Sequence, residues 1–319
     1  MVKRIVFILL MLTLCFSGLL ANSDLAGTHG FAFMRLPYSA RAMGMANAFT
    51  GLADDGDAVF FNTAGLSHVK ETQLKINYMN YIEGLQGGSA VYNTRITGDW
   101  VFATFVQFLV SDEIPRMVVD QNGAFLGQQG TFNTSNIVAG IGFARTMHQS
   151  LDFGVNFKYI FDNLDPDESY NASAVAVDLS VLHQTNNENL KVGVALRNFG
   201  MQLTYYTDTK YEENLPTMLT AGLSYRFHDK GFLNFDLCRP FDNDFFFRFG
   251  LEYYYNPIFT LRAGVDSRMN DYRTDESLDF LSGIAFGAGF NFGRYAIDYG
   301  ISSMGSLGFI NQISVTYNF

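Results

Sequence analysis

The chain has 319 residues, with 31 acidic against 21 basic side chains and a formal charge of −10. That balance speaks against nucleic acid as a partner, since a polyanion is bound by basic surface. Phe (32), Tyr (17) and Gly (30) are plentiful while Trp occurs once and Pro six times, a composition that favours strands over helices.

Residues 1–21 read as a secretory signal peptide. Lys3 and Arg4 precede an apolar run from Ile5 to Leu14, and Ser17, Gly18 and Ala21 form a small-residue exit. The run is too short for a spanning helix, which needs about 20 apolar residues. Cleavage is expected after Ala21, which takes Lys3 and Arg4 away and moves the charge from −10 to −12. Lipoprotein processing at Cys15 is the rival reading, disfavoured by the bulk of Leu14. Cys238 is then the one cysteine left, which excludes an intrachain disulfide and a cysteine metal cluster.

Residues 22–70 lack the alternation seen further on. They mix small residues, Met and carboxylates, with a helical register over about Ala40 to Phe49 and turn chemistry at Asp54, Asp55, Gly56 and Asp57. The expectation is an N-terminal plug lodged in a barrel.

Residues 71–319 alternate with a period of two. In 151–161, Leu151, Phe153, Val155, Phe157, Tyr159 and Phe161 share one face, opposite Asp152, Gly154, Asn156 and Lys158. The pattern returns in 190–197, 245–255, 259–266 and 284–292, with Phe246 and Tyr254 breaking the polar face of their segment. Large aromatics on one side with Gly, Arg, Asp or Lys on the other fit lipid outside and a polar lumen inside. About 14 such segments begin near 71, 88, 99, 134, 151, 170, 189, 215, 231, 245, 257, 281, 294 and 308, most of them suited to a tilted strand of roughly 9 to 11 residues. The fold class predicted is all-β: a transmembrane antiparallel up-and-down barrel.

Connection lengths support this. Short ones near 147–150, 184–188, 228–230, 256 and 293 alternate with longer ones at 110–132, 162–169, 200–214 and 268–280, and with modest ones near 241–244 and 303–307. An even count with an outward-going first strand puts every short one on the periplasmic side. The chain ends with Ile313, Val315, Tyr317 and Phe319 alternating with Ser314, Thr316 and Asn318. This resembles the C-terminal assembly signal of outer-membrane barrels, which implies the barrel-assembly machinery and outer-membrane lipid as partners.

The string from Leu36 to Ser67 resembles the N-terminal signature of the PorV/PorQ family, within the wider class of FadL-like 14-stranded outer-membrane transporters. The matching elements are Ser39-Ala40-Arg41, the Gly44 and Ala48 spacing, Asp54 to Asp57, and Asn62-Thr63-Ala64-Gly65-Leu66. Thr63 replaces the family's proline, which should loosen a turn. The resemblance implies either passage of hydrophobic small molecules through a plugged barrel or, for PorV/PorQ members, binding of partner proteins in a type IX-like secretion system.

Asp54, Asp55 and Asp57 offer hard oxygen ligands of the kind Ca²⁺ takes, but without the Gly and distal Glu of an EF-hand loop, so a capped acidic turn is the simpler reading. The histidines lack metal spacing, and no P-loop, GxSxG or complete GxGxxG occurs. No cofactor and no enzymatic activity are expected. The functional candidates are Arg41, Asn62 and the acidic run in the plug, with the inward charges Lys158, Lys191, Arg197, Arg226, Arg248, Glu252, Arg262, Asp266 and Asp298. Such charges tune selectivity, clamp a plug, or pair across a lumen to fill it. The acidic plug and the inward arginines are expected to pair with each other.

Overall fold

Alternation of large apolar and small polar side chains forces each segment to separate two environments, and the chain satisfies this by closing its sheet on itself. The computed structural model describes residues 29–319 except 37, 97, 149, 167–169 and 269–278. The signal-peptide reading lies outside them.

Fourteen antiparallel strands form a closed barrel. In chain order the strands are β1 (Gln73–Asn80), β2 (Gln86–Arg95), β3 (Trp100–Val110), β4 (Ile114–Val119), β5 (Phe125–Phe132), β6 (Ser135–His148), β7 (Leu151–Asp165), β8 (Tyr170–Gln184), β9 (Leu190–Thr204), β10 (Met218–Arg226), β11 (Gly231–Pro240), β12 (Phe246–Tyr254), β13 (Phe259–Asp266), β14 (Ile284–Asn291), β15 (Tyr295–Ser303) and β16 (Phe309–Asn318). Neighbours in sequence are neighbours in space, and β1 pairs with β16 to close the ring, Ile76 opposite Val315. The strands β4 and β5 stand apart as a two-stranded hairpin between β3 and β6. The expected plain connection at 110–132 is thereby corrected.

Side chains divide as the alternation requires. In β7, Phe157 and Tyr159 are about half exposed on the outer face (49% and 50%), whereas Asn156 and Lys158 are buried within (0% and 8%). A charge on the outer face at mid-strand has no water to meet. Phe157→Arg is expected to cost about 2–4 kcal/mol in lipid, read as a lowered urea midpoint for refolding into vesicles. A shift no larger than that of Phe157→Ala would contradict the lipid-facing assignment.

Two long strands depart from the expected bounds. The residues opposite Asp178 of β8 are both Arg197 and Asn198 of β9, a β-bulge with Asn198 at φ 59. The extra residue reverses the phase, so Leu196 and Phe199 both face outward and the strand runs on through Phe199, Met201 and Leu203. The connection expected at 200–214 shrinks to 205–217, and β7 runs on to Asp165, into the connection expected at 162–169.

The plug fills the lumen. Tyr38, Met43, Met45, Phe49, Leu52 and Leu66 are among its fully buried side chains. The helix predicted from Ala40 to Phe49 is only one turn, α1 (Ala40–Met43), capped by the Ser39 hydroxyl accepting from the Ala42 amide. Ala46 and Asn47 adopt positive φ (51° and 63°), which ends it. The chain coils there because wall glycines let its backbone come close: a Cβ on Gly264 would meet the Met45 and Ala46 backbone, and one on Gly250 would lie 2.7 Å from Met45 Cβ. Short 3-10 turns follow at Gly56–Phe60 and Thr63–His68, capped by the side chains of Asp55 and Asn62. Thr63 sits at the first helical position, where no intrahelical N–H bond exists to lose, so the turn forms without the expected proline.

Candidate functional site: the plug and its wall contacts

A plug without strands of its own leaves backbone donors that the wall must satisfy, because an unmet buried N–H costs as much as a lost hydrogen bond. Inward side chains supply the acceptors. Asp236 of β11 accepts from the Phe49 and Thr50 amides at 3.1 and 3.0 Å. Ser314 of β16 accepts from Ala40 N at 3.0 Å, Ser180 of β8 from Ala64 N at 3.0 Å, and Gln73 of β1 from Gly56 N at 3.1 Å. In the other direction Asn156 donates to Val59 O at 2.6 Å and Arg197 to Phe60 O at 2.5 Å. Asn62 donates to Val181 O of the wall at 3.1 Å and to Thr50 O of the plug at 2.9 Å.

Around these contacts runs a chain of ions. Arg41 grips Glu252 of β12 in a bidentate pair, both contacts at 2.8 Å, and reaches Asp54 at 2.7 Å and Asp55 at 3.2 Å with its remaining nitrogen. Glu252 is fully buried and also accepts from Arg262 of β13 at 2.7 Å and from the Tyr254 hydroxyl at 3.0 Å. Arg262 continues to Asp298 of β15 at 2.8 Å. On the other side Lys75 of β1 meets Asp55 at 2.9 Å and Asp57 at 2.6 Å. Asn77 donates to Asp57 at 3.0 Å and contacts Ser314. The network thus ties two parts of the plug, Arg41 and the Asp54–Asp57 turn, to β1, β12, β13 and β15.

Burial acts on two carboxyls of the plug, Asp55 and Asp57, with opposite net results. For Asp55 the attraction of Lys75 and Arg41 outweighs burial and holds the group below its ordinary range. For Asp57 burial wins against Lys75, with the Asp55 charge adding to it, and the carboxyl is pushed up to about 6.

Apart from Asn62, which bridges plug and wall as described, the predicted residues separate into three groups. Arg41, Asp54, Asp55, Asp57, Glu252, Arg262 and Asp298 meet in the network above. Lys158, Arg197, Arg248 and Asp266 line the lumen elsewhere. Lys158 pairs with Asp178 at 2.6 Å and donates to Asn198 at 2.9 Å, so the bulge is fastened from within. Arg248 pairs with Asp266 at 3.1 Å and lies over the Phe246 ring at 4.9 Å, which explains why an aromatic interrupts that polar face. Lys191 and Arg226, expected in the lumen, instead occupy the rim at the ends of β9 and β10, and Arg226 is exposed. The expected pairing of plug acids with wall arginines is likewise corrected. The plug acids meet Lys75 and the plug's own Arg41, and it is Arg41 that reaches a wall acid.

Sequence reasoning missed Lys75, Asp178 and Asp236. Each stands at an inward position of its strand, and alternation marks all three: Lys75 between Leu74 and Ile76, Asp178 between Val177 and Leu179, Asp236 between Phe235 and Leu237.

Closed strands, an apolar exterior and a lumen filled by an ion-paired segment define a plugged transmembrane β-barrel. Solved structures share the barrel fold. A monoaromatic hydrocarbon channel, the deltaS2 mutant of TodX, matches with a TM-score of 0.63 at 15% identity over 89% of this chain and 99% of that one. The Pseudomonas putida toluene transporter TodX matches at 0.60, with 15% identity over 88% and 96%. A Pseudomonas aeruginosa FadL homologue matches at 0.52, with 13% identity over 89% and 99%. No protein-family model and no curated protein matches the sequence.

Proposed function

We propose that this chain is an outer-membrane transport protein that passes small hydrophobic compounds. The observation that carries the reading is the plug itself: a barrel of 14 strands whose lumen is occupied by residues 38–69 in a ring-wide web of ion pairs and hydrogen bonds, an arrangement shared in fold with hydrocarbon channels. An open aqueous pore has no use for such a stopper. A solute that leaves water for an apolar path does, and the plug meets the wall through apolar rings on one side, Phe60 packing between Tyr38 and Phe105. The aromatic terminal strand supports recognition by the barrel-assembly machinery, and the Leu36–Ser67 motif keeps the PorV/PorQ resemblance as the finer assignment.

Removing the gene tests the reading. Cells without the chain are expected to take up a labelled alkylbenzene or long-chain acid several-fold more slowly at low concentration while secreting protein normally. Normal uptake with a secretion defect would instead place the chain in a secretion system.

A further inference from the structure

The one tryptophan of the chain, Trp100, opens β3 on the outer face at the short-turn end, 41% exposed. Its register partner across to β6 is Arg145, whose guanidinium lies 5.3 Å over the indole ring. Arg145 Nε is shielded from solvent and has no hydrogen-bond partner among the described residues. One register step into the membrane, Phe102 and Phe143 face each other with ring centroids 5.5 Å apart. A cation on an indole at the level where strands end, above a pair of bare aromatic rings, matches a phospholipid end on: phosphate at the guanidinium, acyl chain along the rings.

The height is fixed independently. Aromatic side chains form linked rows along the same rim, Tyr255, Phe259, Phe290 and Phe292 on one arc and Tyr295, Tyr317, Phe319 and Tyr92 on another. Such girdles mark the interface between hydrocarbon and headgroups. Arg294 sits in the turn between the two rows, and Lys230 occupies another turn of this end. Glu71, Asp99 and Asp229 share these turns, but the heavily acidic surface is at the opposite end, where Asp112, Glu113, Asp120, Asp208, Glu212 and Glu213 crowd the long loops.

We infer that the Arg145–Trp100 pair is a binding site for an anionic phospholipid of the periplasmic leaflet. The inference rests on the membrane reading proposed above, and one experiment separates the two. The full chain is reconstituted into phosphatidylcholine vesicles containing brominated phosphatidylglycerol or brominated phosphatidylcholine, and quenching of Trp100 fluorescence is compared at equal mole fraction. Because one basic residue at an anionic surface is worth about fivefold in binding, the wild-type chain is expected to show brominated phosphatidylglycerol favoured about fivefold at Trp100. Arg145→Gln should bring the ratio to about one without altering quenching by brominated phosphatidylcholine, which shows that the barrel is still inserted. Equal quenching by the two lipids in the wild-type chain, or an unchanged ratio in Arg145→Gln, overturns the site. No quenching by either lipid overturns the membrane reading itself.

Discussion

Replacing Glu252 by Gln is expected to destabilise the protein more than any other single change that conserves volume. The carboxylate is fully buried and neutralises two guanidiniums, Arg41 on the plug and Arg262 on the wall, while accepting a third bond from Tyr254. An amide keeps the shape but removes the charge and turns one acceptor into a donor facing arginine. Breaking a buried pair from one side costs about 3–5 kcal/mol, because the surviving charge stays desolvated. Equilibrium unfolding in vesicles should therefore show a loss of that order for Glu252→Gln. Adding Arg262→Met should not recover it, because that change leaves the buried Asp298 without its ion-pair partner. A loss under about 1 kcal/mol, the size of an exposed pair, would mean that water reaches the network and that it does not hold the plug.

The second large effect is predicted at Gly154. A Cβ there would fall on the backbone of Thr63 and Ala64, atoms that no side-chain rotation can move aside. Overpacking an interior costs about 1–3 kcal/mol even when neighbours can shift. Here the wall is held by unbroken pairing of β7 with β6 and β8 around this position, Gly154 opposite Ala144 and Ser180. The plug, tied by side chains alone, should yield first. Gly154→Leu is expected to give stepwise ion conductance in planar bilayers where the wild-type chain gives little, with the β-sheet signal of the barrel retained. Gly154→Ala should show an intermediate effect if the larger variant inserts poorly. Equal conductance in all three would contradict the plug as the seal.

The barrel was legible in the sequence because each strand must separate lipid from lumen, which writes a period of two into every segment. That signal gave the strand number and the facing of residues such as Phe157 and Lys158. It failed where physics sets something other than a face. Alternation fixes which side a residue points to and not its height, so it marks Lys191 and Arg226 as lumen charges although they stand at the rim. At Asn198 the bulge reverses the phase, and the second half of β9 reads as loop. The β4–β5 hairpin packs no face against a core, and Pro115, Gly127 and Gly130 interrupt its pattern.

The plug was legible in composition and obscure in shape. Its 44–49 stretch has helical spacing, yet contact with Gly250, Gly264 and Gly287 of three different strands decides its path, and those lie over 200 residues away. The clamp partners were half visible. Arg41 and Glu252 could be named as candidates, but that they meet, and that Lys75 closes the other side, follows from the closure of β1 on β16, which no local pattern encodes.

Selective passage of apolar solutes is tested most directly by sealed vesicles carrying the purified chain, challenged in parallel with a labelled monoaromatic hydrocarbon or long-chain acid and with a labelled sugar of similar size. A plugged barrel that conducts hydrophobic compounds should admit the apolar solute several-fold faster than protein-free vesicles and leave the sugar outside. Entry of the sugar at the same rate as the apolar solute, or no acceleration of either, would contradict it.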